Sequence, residues 1–334
     1  MNVNWFVGVD VSKNTLDFAF CRKNKEVLGD SHFVTENNKN GIAKALRWLG
    51  SHKIKKQNMW VCMEHTGEYT FELWKYLESK QIYCTVVNAV NIKRSLDLEL
   101  SRGKTDKVDA YRIAWFCAKN IDELELSKMP SETFLQLKML CAERRSYIRQ
   151  RASMLSKRTT YHVANYKEVE ERLQVLIKAL SASIKAIEKQ IMALIYSDEH
   201  IAENYNYLTS IPGISFVNAL NAIIYTLNFI AFKNARQYAC YAGVAPFPYS
   251  SGTSTRGKTK VSKLGNSQIK ADLTQAAKCA VIWDPELRHY YERKSSEGKD
   301  YGKIMNAVKF KLIERMFAVV LNKRAYVKMA TYLS

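Results

Sequence analysis

The feature that most limits the fold of this chain is a stretch from residue 131 to residue 211 that contains neither glycine nor proline. These two residues punctuate most helices and turns, so their absence predicts long helices. Within the stretch, apolar residues recur at alternating spacings of four and three, at Leu173, Ile177, Leu180, Ile184, Ile187, Ile191 and Leu194. Such a heptad pattern predicts a coiled coil or a long helical hairpin, and a coiled coil would let the chain self-associate. A helix packed within its own domain would show a similar stripe.

The residues before this stretch have the pattern of an α/β domain. Apolar and alternating runs predict strands, and periodic apolar residues predict helices between them. The predicted strands are Val3–Val11, Thr15–Cys21, Glu26–Thr35, Met59–Glu64 and Ile82–Asn88, and the predicted helices are Asn37–Ser51, Tyr69–Lys80 and a segment that includes Asp106 and Asp109. Three strands followed by alternating helices and strands is the element order of the ribonuclease H fold.

The residues after the stretch predict a separate, mainly helical domain. It opens on Ile211-Pro-Gly-Ile214, a turn between two helical segments, which either exposes backbone N–H groups to a phosphate or simply joins two helices. Residues 246–265 are rich in Ser, Thr and Gly and have the pattern of a long polar loop. We therefore predict three regions: an α/β domain at 1–130, long helices or a coiled coil at 131–204, and a helical domain at 205–334.

The charge of the chain favours a polyanionic partner. Its 51 Lys and Arg against 32 Asp and Glu give a net charge of +19, and residues 251–334 alone carry 17 basic and 7 acidic residues. Nucleic acid is the usual partner of such a surface, although a solvated basic surface would have the same composition. The seven cysteines show no C-x-x-C spacing, which indicates free thiols. With no signal peptide or transmembrane run, we expect a soluble, intracellular protein.

Four acidic residues stand where a metal-dependent nuclease needs them. Asp10 lies in the first predicted strand and Glu64 ends the fourth, whereas Asp106 and Asp109 share one face of a later helix. Carboxylates repel one another, and a divalent cation is the usual reason to place several of them together. Hard oxygen ligands suit Mg²⁺ or Mn²⁺ rather than zinc. Taken one at a time, acidic residues at such positions are mostly surface residues, as we expect for Asp17, Glu68 and Asp97.

The motifs around these acids resemble those of a known family. Gly8-Val-Asp-Val-Ser-Lys13, Glu64-His-Thr-Gly67 and Lys104-Thr-Asp-Lys-Val-Asp-Ala110 resemble the three acidic motifs of the DEDD transposases of insertion sequence family 110, whose relatives include pilin-inverting invertases. Further blocks along nearly the whole chain also resemble that family; they are Ile211-Pro-Gly-Ile214, residues 232–246, Ser250-Ser-Gly252 and Leu264-Gly-Asn266.

The resemblance implies a transposase or site-specific recombinase with a composite active site. The family joins a ribonuclease H-like domain, similar to Holliday-junction resolvases, to a coiled coil and a C-terminal transposase domain. By similarity, Asp10, Glu64, Asp106 and Asp109 would hold Mg²⁺ or Mn²⁺. The family's serine nucleophile corresponds to Ser251, with the adjacent Ser250 as the alternative, and it would form a covalent protein–DNA intermediate.

The resemblance also implies partners. Many family members use a structured non-coding bridge RNA to pair with target and donor DNA, and the sequence is also compatible with direct reading of DNA, as by an invertase. The resemblance further implies a cytoplasmic protein that is associated with the bacterial nucleoid. The heptad pattern is compatible with a homodimer that assembles into a tetramer, and the site could assemble within one subunit or between two. The sequence is equally compatible with transposition and with inversion, and it names neither the target nor the donor sequence.

Three other functions compete with this interpretation. A Holliday-junction resolvase-like nuclease that hydrolyses DNA would account for the acids and the charge but would leave the serine segment without a role. A sugar kinase of the actin-like fold would need a second glycine-rich phosphate loop, which the sequence does not contain. A non-catalytic nucleic-acid-binding protein would lose affinity from four acids unless a metal compensated for them.

Overall fold

The computed structural model describes residues 3–23, 31–65, 67–88, 91–92, 106–251, 255–261 and 265–328, with the backbone alone for 247–251 and 255–260. The chain divides into two compact units, Met1–Met129 and Pro130–Ser334. The first unit is mixed α/β and the second is mainly helical, as the sequence predicts at this coarse level. In the part of the chain that is described, no helix is both long and apolar enough to cross a membrane.

The first unit is built on a five-stranded sheet. Its strands are β1 (Trp5–Val11), β2 (Thr15–Arg22), β3 (His32–Glu36), β4 (Met59–Glu64) and β5 (Tyr83–Val87), in the order β3-β2-β1-β4-β5. The pairs β1–β2 and β2–β3 are antiparallel, and β1–β4 and β4–β5 are parallel. Its helices are α1 (Lys39–Ser51), α2 (Phe71–Ser79), preceded by a 3₁₀ turn at Gly67–Thr70, and α3 (Asp106–Asn120).

The two faces of the sheet are covered by different helices. Because side chains along a strand alternate between faces, Val7 and Val9 pack into the core formed with α1 and α2. Phe6 and Cys62 instead belong to the core formed with α3. The sheet is therefore the middle of three layers, and any polar residue that replaces an apolar one on the second face points towards α3.

The second unit contains eight helices in its described residues. They are α4 (Glu132–Val163), α5 (Lys167–Tyr196), α6 (Glu199–Thr209), α7 (Phe216–Thr226), α8 (Ala235–Tyr241), α9 (Ser267–Trp283), α10 (Pro285–Ser296) and α11 (Tyr301–Leu321). Their apolar faces share one core, in which the large side chain of Tyr238 is completely buried.

Helices α4 and α5 form a long hairpin closed by residues 164–166. The buried positions of α5 include Ile177, Ile184, Ile187 and Ile191, all of which belong to the predicted heptad stripe. The stripe is thus used within the chain, as in the hairpin interpretation of the sequence. Self-association through it remains a prediction.

Residues 246–265, which have the composition of a loop, contain two paired strands. These are β6 (Pro246–Ser251) and β7 (Thr255–Val261), which pair in antiparallel register with an irregularity between Phe247 and Tyr249. The two strands contain Phe247, Tyr249, Val261 and two Thr. Aromatic and β-branched residues of this kind favour extended backbone. The polar composition concealed this preference because neither strand shows a clean apolar alternation.

The Pro-Gly turn at residues 211–214 is packed against α9. Gly213 has a positive φ of 89°, and a Cβ atom there would lie 2.7 Å from the carbonyl oxygen of Ala276 and 2.7 Å from Cβ of Ala280. Ile211 and Ile214 on either side are buried. These contacts support the structural role of this turn over the phosphate-binding role.

Gly213→Ala is expected to lower the free energy of unfolding by about 2–4 kcal/mol, since it combines left-handed backbone strain with a clash against a packed helix. Urea denaturation measures the change. Gly298→Ala is the matched control, because Gly298 has a φ of 71° but no atom within 4 Å of the added Cβ. It isolates the cost of the backbone conformation, about 1 kcal/mol. Equal losses in the two variants would contradict the packing argument.

Candidate active site

The sheet places Asp10 and Glu64 next to each other. Strands β1 and β4 are parallel, with Val9 opposite Met63, and Asp10 and Glu64 are the next residues of the two strands. The alternation of side chains directs both carboxylates to the face covered by α3. This arrangement, at the carboxyl ends of neighbouring parallel strands, agrees with the prediction from the sequence.

Helix α3 brings the other two acids to the same face. Asp106 and Asp109 occupy its first turn. The helix backbone lies directly on β1 at Gly8: a Cβ atom there would be 2.1 Å from the carbonyl oxygen of Ala110 and 2.2 Å from the backbone nitrogen of Ala114. Only glycine, which has no side chain, allows the helix to lie this close to β1, and Gly8 is two residues before Asp10.

The electrostatics of Asp10 show that the four acids face a common region. The pKa of Asp10 is raised from 3.8 to about 6, first by burial and then by repulsion from Asp109, Glu64, Asp106 and Asp17. A partly buried carboxyl surrounded by other carboxylates holds its proton more tightly than it would in water. The cluster therefore carries an unfavourable concentration of negative charge at neutral pH.

The carboxylates are close enough to repel but not to form a complete ligand set. Asp109 accepts a hydrogen bond of 2.8 Å from Nη1 of Arg112, one helical turn further along α3. Within the residues that the structure describes, no three His, Cys, Asp or Glu side chains are grouped tightly enough to hold a metal ion. Coulomb repulsion extends further than a coordination bond, so the two observations are compatible.

Asp17 is a fifth acid of this region, although its sequence suggested a surface residue. It lies opposite Asp10 in the β1–β2 register and is only 7% exposed. Nε2 of His32, on β3, lies 3.0 Å from its carboxylate oxygen Oδ1. The alternation of β2 was the available signal, since Leu16 and Phe18 flank Asp17 and fix its side chain on the face of α3. The register that places Asp17 beside Asp10 required the structure.

The predicted nucleophile belongs to the second unit. Ser251 is the last residue of β6 and pairs with Thr255, whereas Ser250 pairs with Arg256. Gly252, the glycine that follows Ser251 in the motif, is outside the described residues.

Two glycines hold the base of the β6–β7 hairpin together. A Cβ atom on Gly265 would lie 2.3 Å from Cα of Gly243, so the segments before β6 and after β7 cross in direct contact. Next to this crossing, the backbone N–H of Asn266 donates to the carbonyl of Tyr241 at 2.8 Å. The contact between Gly243 and Gly265 therefore positions the base of the strand pair whose first strand ends at Ser251.

Comparison with known proteins gives matches along the whole chain. A family model of DEDD type described as an IS110 transposase matches residues 7–166, and a model described as a transposase of the IS116/IS110/IS902 family matches residues 205–292. Two pilin gene-inverting proteins, from Moraxella bovis and Moraxella lacunata, are each 26% identical over 97% of this chain and 98% of their own length. An uncharacterised 43.6 kDa protein of insertion element IS110 from Streptomyces coelicolor is 29% identical over 44% of this chain and 37% of its own.

Proposed function

The chain belongs to the IS110 family of transposases and is an enzyme acting on DNA, and from this premise we propose that it cuts and rejoins DNA through its acid cluster and Ser251. The observation that carries the proposal is the convergence of Asp10, Glu64, Asp106 and Asp109 on one face of the sheet. We assign to residues 1–130 a ribonuclease H-like domain, which the strand order β3-β2-β1-β4-β5 supports.

The donor set fits a divalent cation such as Mg²⁺ or Mn²⁺. Asp10, Glu64, Asp106 and Asp109 supply only hard oxygen ligands, and their mutual repulsion is what a bound cation would relieve. When bound, the ion would polarise a phosphodiester and stabilise developing charge on its oxygens. Arg112 holds the Asp109 carboxylate in the first turn of α3 and would release or reorient it when a cation competes.

Ser251 supplies the nucleophile in this proposal. Its hydroxyl loses a proton, its oxygen bonds to the scissile phosphorus, and the bond between phosphorus and the leaving sugar oxygen breaks. The leaving oxygen takes the electron pair and a proton. Attack by a sugar hydroxyl of another strand reverses these steps and releases Ser251, so the phosphodiester energy is kept and no ATP is required.

The proposal also includes the association of subunits and a guide RNA. Residues 131–204 would form the element through which subunits associate, as a dimer and then a tetramer, and residues 205–334 would be the transposase domain that contributes Ser251. The net charge of +19 suits the binding of DNA together with a structured non-coding bridge RNA. Pilin gene-inverting relatives indicate inversion as an outcome alongside transposition.

The test is the detection of a covalent adduct. Purified protein is incubated with Mg²⁺, DNA that spans the ends of its own element and RNA transcribed from the flanking sequence, and DNA that migrates with protein is measured on a denaturing gel. We expect Ser251→Ala to reduce the adduct by roughly 10³-fold or more, because no other group replaces a deleted nucleophile.

Ser250→Ala is the matched control and should retain the adduct. If the adduct is retained in Ser251→Ala and lost in Ser250→Ala, the nucleophile is Ser250 instead of Ser251. Cleavage without any adduct, unchanged in both variants, would contradict the recombinase mechanism and support a nuclease that acts by hydrolysis. The same assay without the RNA tests separately whether adduct formation requires a guide RNA.

A further inference from the structure

A cavity of about 330 Å³ opens in the second unit, where α4, α7 and α9 meet. This volume is at the lower end of the range for small-ligand pockets. The middle of α4 contributes one wall, and the first turns of α7 and α9 contribute the others. None of these segments includes the acid cluster or the paired strands β6 and β7, so the function proposed above does not account for the cavity.

Three arginines of α4 line the cavity, and they are not equivalent. Arg144 is anchored: its guanidinium pairs with Glu188 at 2.6 Å and lies 5.2 Å from the centre of the Phe216 ring. Arg145 and Arg149 form no ion pair with a carboxylate anywhere in the described part of the chain; their hydrogen bonds go to the Cys141 carbonyl and to the Gln268 side chain. Two positive charges are therefore available to a ligand.

The cavity is also lined by a fixed polar network, which Arg149 contacts directly. Oδ2 of Asp272 accepts a hydrogen bond of 2.8 Å from Asn221, and Gln268 donates to both oxygens of Asp272 at 3.1 and 3.2 Å. Oε1 of Gln268 in turn accepts from Nη2 of Arg149 at 3.3 Å. Since a carboxylate has about four acceptor positions, Asp272 can still accept from a ligand amino group.

The apolar part of the lining is formed by Ile148, Phe216, Val217 and Leu220. Helices α7 and α9 both begin at the cavity, so their N-terminal dipoles add to its positive potential. Two available cations, an apolar surface and an acceptor carboxylate in one cavity match the parts of a nucleotide, which are its phosphate, its base and an amino group on the base edge.

We infer that this cavity binds one unpaired nucleotide of a nucleic-acid strand, with its phosphate on Arg145 and Arg149 and its base against the wall at Phe216 and Val217. A base within a duplex is stacked and cannot enter a recess, whereas an unstacked base can. The Asp272 carboxylate favours a base with an exocyclic amino group, such as cytosine, over thymine. DNA and RNA strands both offer this chemistry.

The first experiment compares two arginines of the same helix. Short fluorescent single strands of identical sequence, as DNA and as RNA, are titrated with the full-length protein in EDTA, and binding is followed by anisotropy. Arg149→Gln is expected to weaken binding roughly tenfold and to lower the slope of log K against log salt by about 0.7, the loss of one phosphate contact. The control is Arg151→Gln, which removes the same charge two residues further on, from the opposite face of α4.

The second experiment leaves the charge unchanged. Val217→Trp fills the cavity and should weaken binding at least tenfold in a protein whose thermal unfolding matches the wild type. Oligo(dC) should bind more tightly than oligo(dT), and Asp272→Asn should reduce that preference. The strand that loses more affinity in the variants, DNA or RNA, identifies the source of the nucleotide.

Equal weakening by Arg149→Gln and Arg151→Gln would overturn the inference, because it would show a diffuse basic surface. Wild-type affinity in a folded Val217→Trp protein would also overturn it. Because binding is measured in EDTA and on strands that need no cleavage, these results do not depend on Ser251 or the acid cluster.

Discussion

Asp10→Asn is expected to abolish DNA strand breakage and, in the absence of metal, to make the protein more stable at neutral pH. The Asp10 carboxyl has a pKa of about 6 because it is partly buried and is repelled by Asp109, Glu64 and Asp106. An amide of nearly the same shape removes that repulsion, and it also removes a ligand of the proposed metal site. Loss of activity combined with a gain in stability is typical of a functional residue that strains its surroundings.

The sign of the effect on stability follows from the direction of the pKa shift. With an ordinary value of 3.8 and a folded value of about 6, the folded state binds the proton more tightly than the unfolded state. The free energy of unfolding therefore falls as the pH rises from about 4 to about 6, and the full cost is present above pH 6. After allowance for solvent screening of this half-exposed group, we expect Asp10→Asn to add about 1–2 kcal/mol at pH 7.5 and little below pH 4.

Urea denaturation in EDTA at several pH values measures this difference. Asp122→Asn serves as the control, since Asp122 is an exposed acid of the same unit and should leave the pH profile unchanged. Addition of Mg²⁺ at pH 7.5 should stabilise the wild type more than the Asp10→Asn variant. An unchanged unfolding free energy in Asp10→Asn across the whole pH range would show that the carboxylates do not interact as proposed.

Local sequence patterns were sufficient to predict β1, β2, β4 and β5 to within two residues, and with them the positions of Asp10 and Glu64, but not the strands β6 and β7. Met59–Glu64 was predicted with the bounds that the structure has, because a buried strand is a continuous apolar run. That run also ends in Glu64, at the edge where parallel strands place polar side chains. Likewise, the spacing of three between Asp106 and Asp109 was enough to put them on one helix face.

Contacts between distant segments were not predictable in this way. Asp17 was interpreted as a surface residue because acidic residues at strand ends and on helix faces are mostly exposed, and only pairing with β1 places it opposite Asp10. The cavity at Arg149 is similar, since its walls come from helices that are separated by about forty or more residues in the sequence. The periodicity of apolar residues within one segment does not show which distant helix or strand will pack against it.

Gly8→Ala is expected to damage both the stability and the candidate site of the first unit severely. The added Cβ would lie 2.1 Å from the Ala110 carbonyl oxygen and 2.2 Å from the Ala114 nitrogen, and both are backbone atoms of α3 that no rotamer change can move. The helix must therefore shift away from β1, and Asp106 and Asp109 shift with it. We expect a loss of about 3 kcal/mol in unfolding free energy and, since small misplacements of a site are costly, a loss of roughly 10²-fold or more in strand breakage.

Gly50→Ala is the control for the general effect of adding a methyl group to a glycine of this unit. Gly50 lies in α1 with nothing within 4 Å of the new atom, so this variant should be unchanged or up to about 1 kcal/mol more stable. Titration of the Asp10 carboxyl by carbon-13 NMR provides a separate readout of helix position. Because α3 carries Asp109, the largest repulsive partner of Asp10, its displacement in Gly8→Ala should lower the Asp10 pKa from about 6 towards its ordinary value. A Gly8→Ala protein with wild-type stability and an unchanged Asp10 pKa would mean that α3 does not pack on β1 at this glycine, and the assignment of Asp106 and Asp109 to the same site as Asp10 would then be wrong.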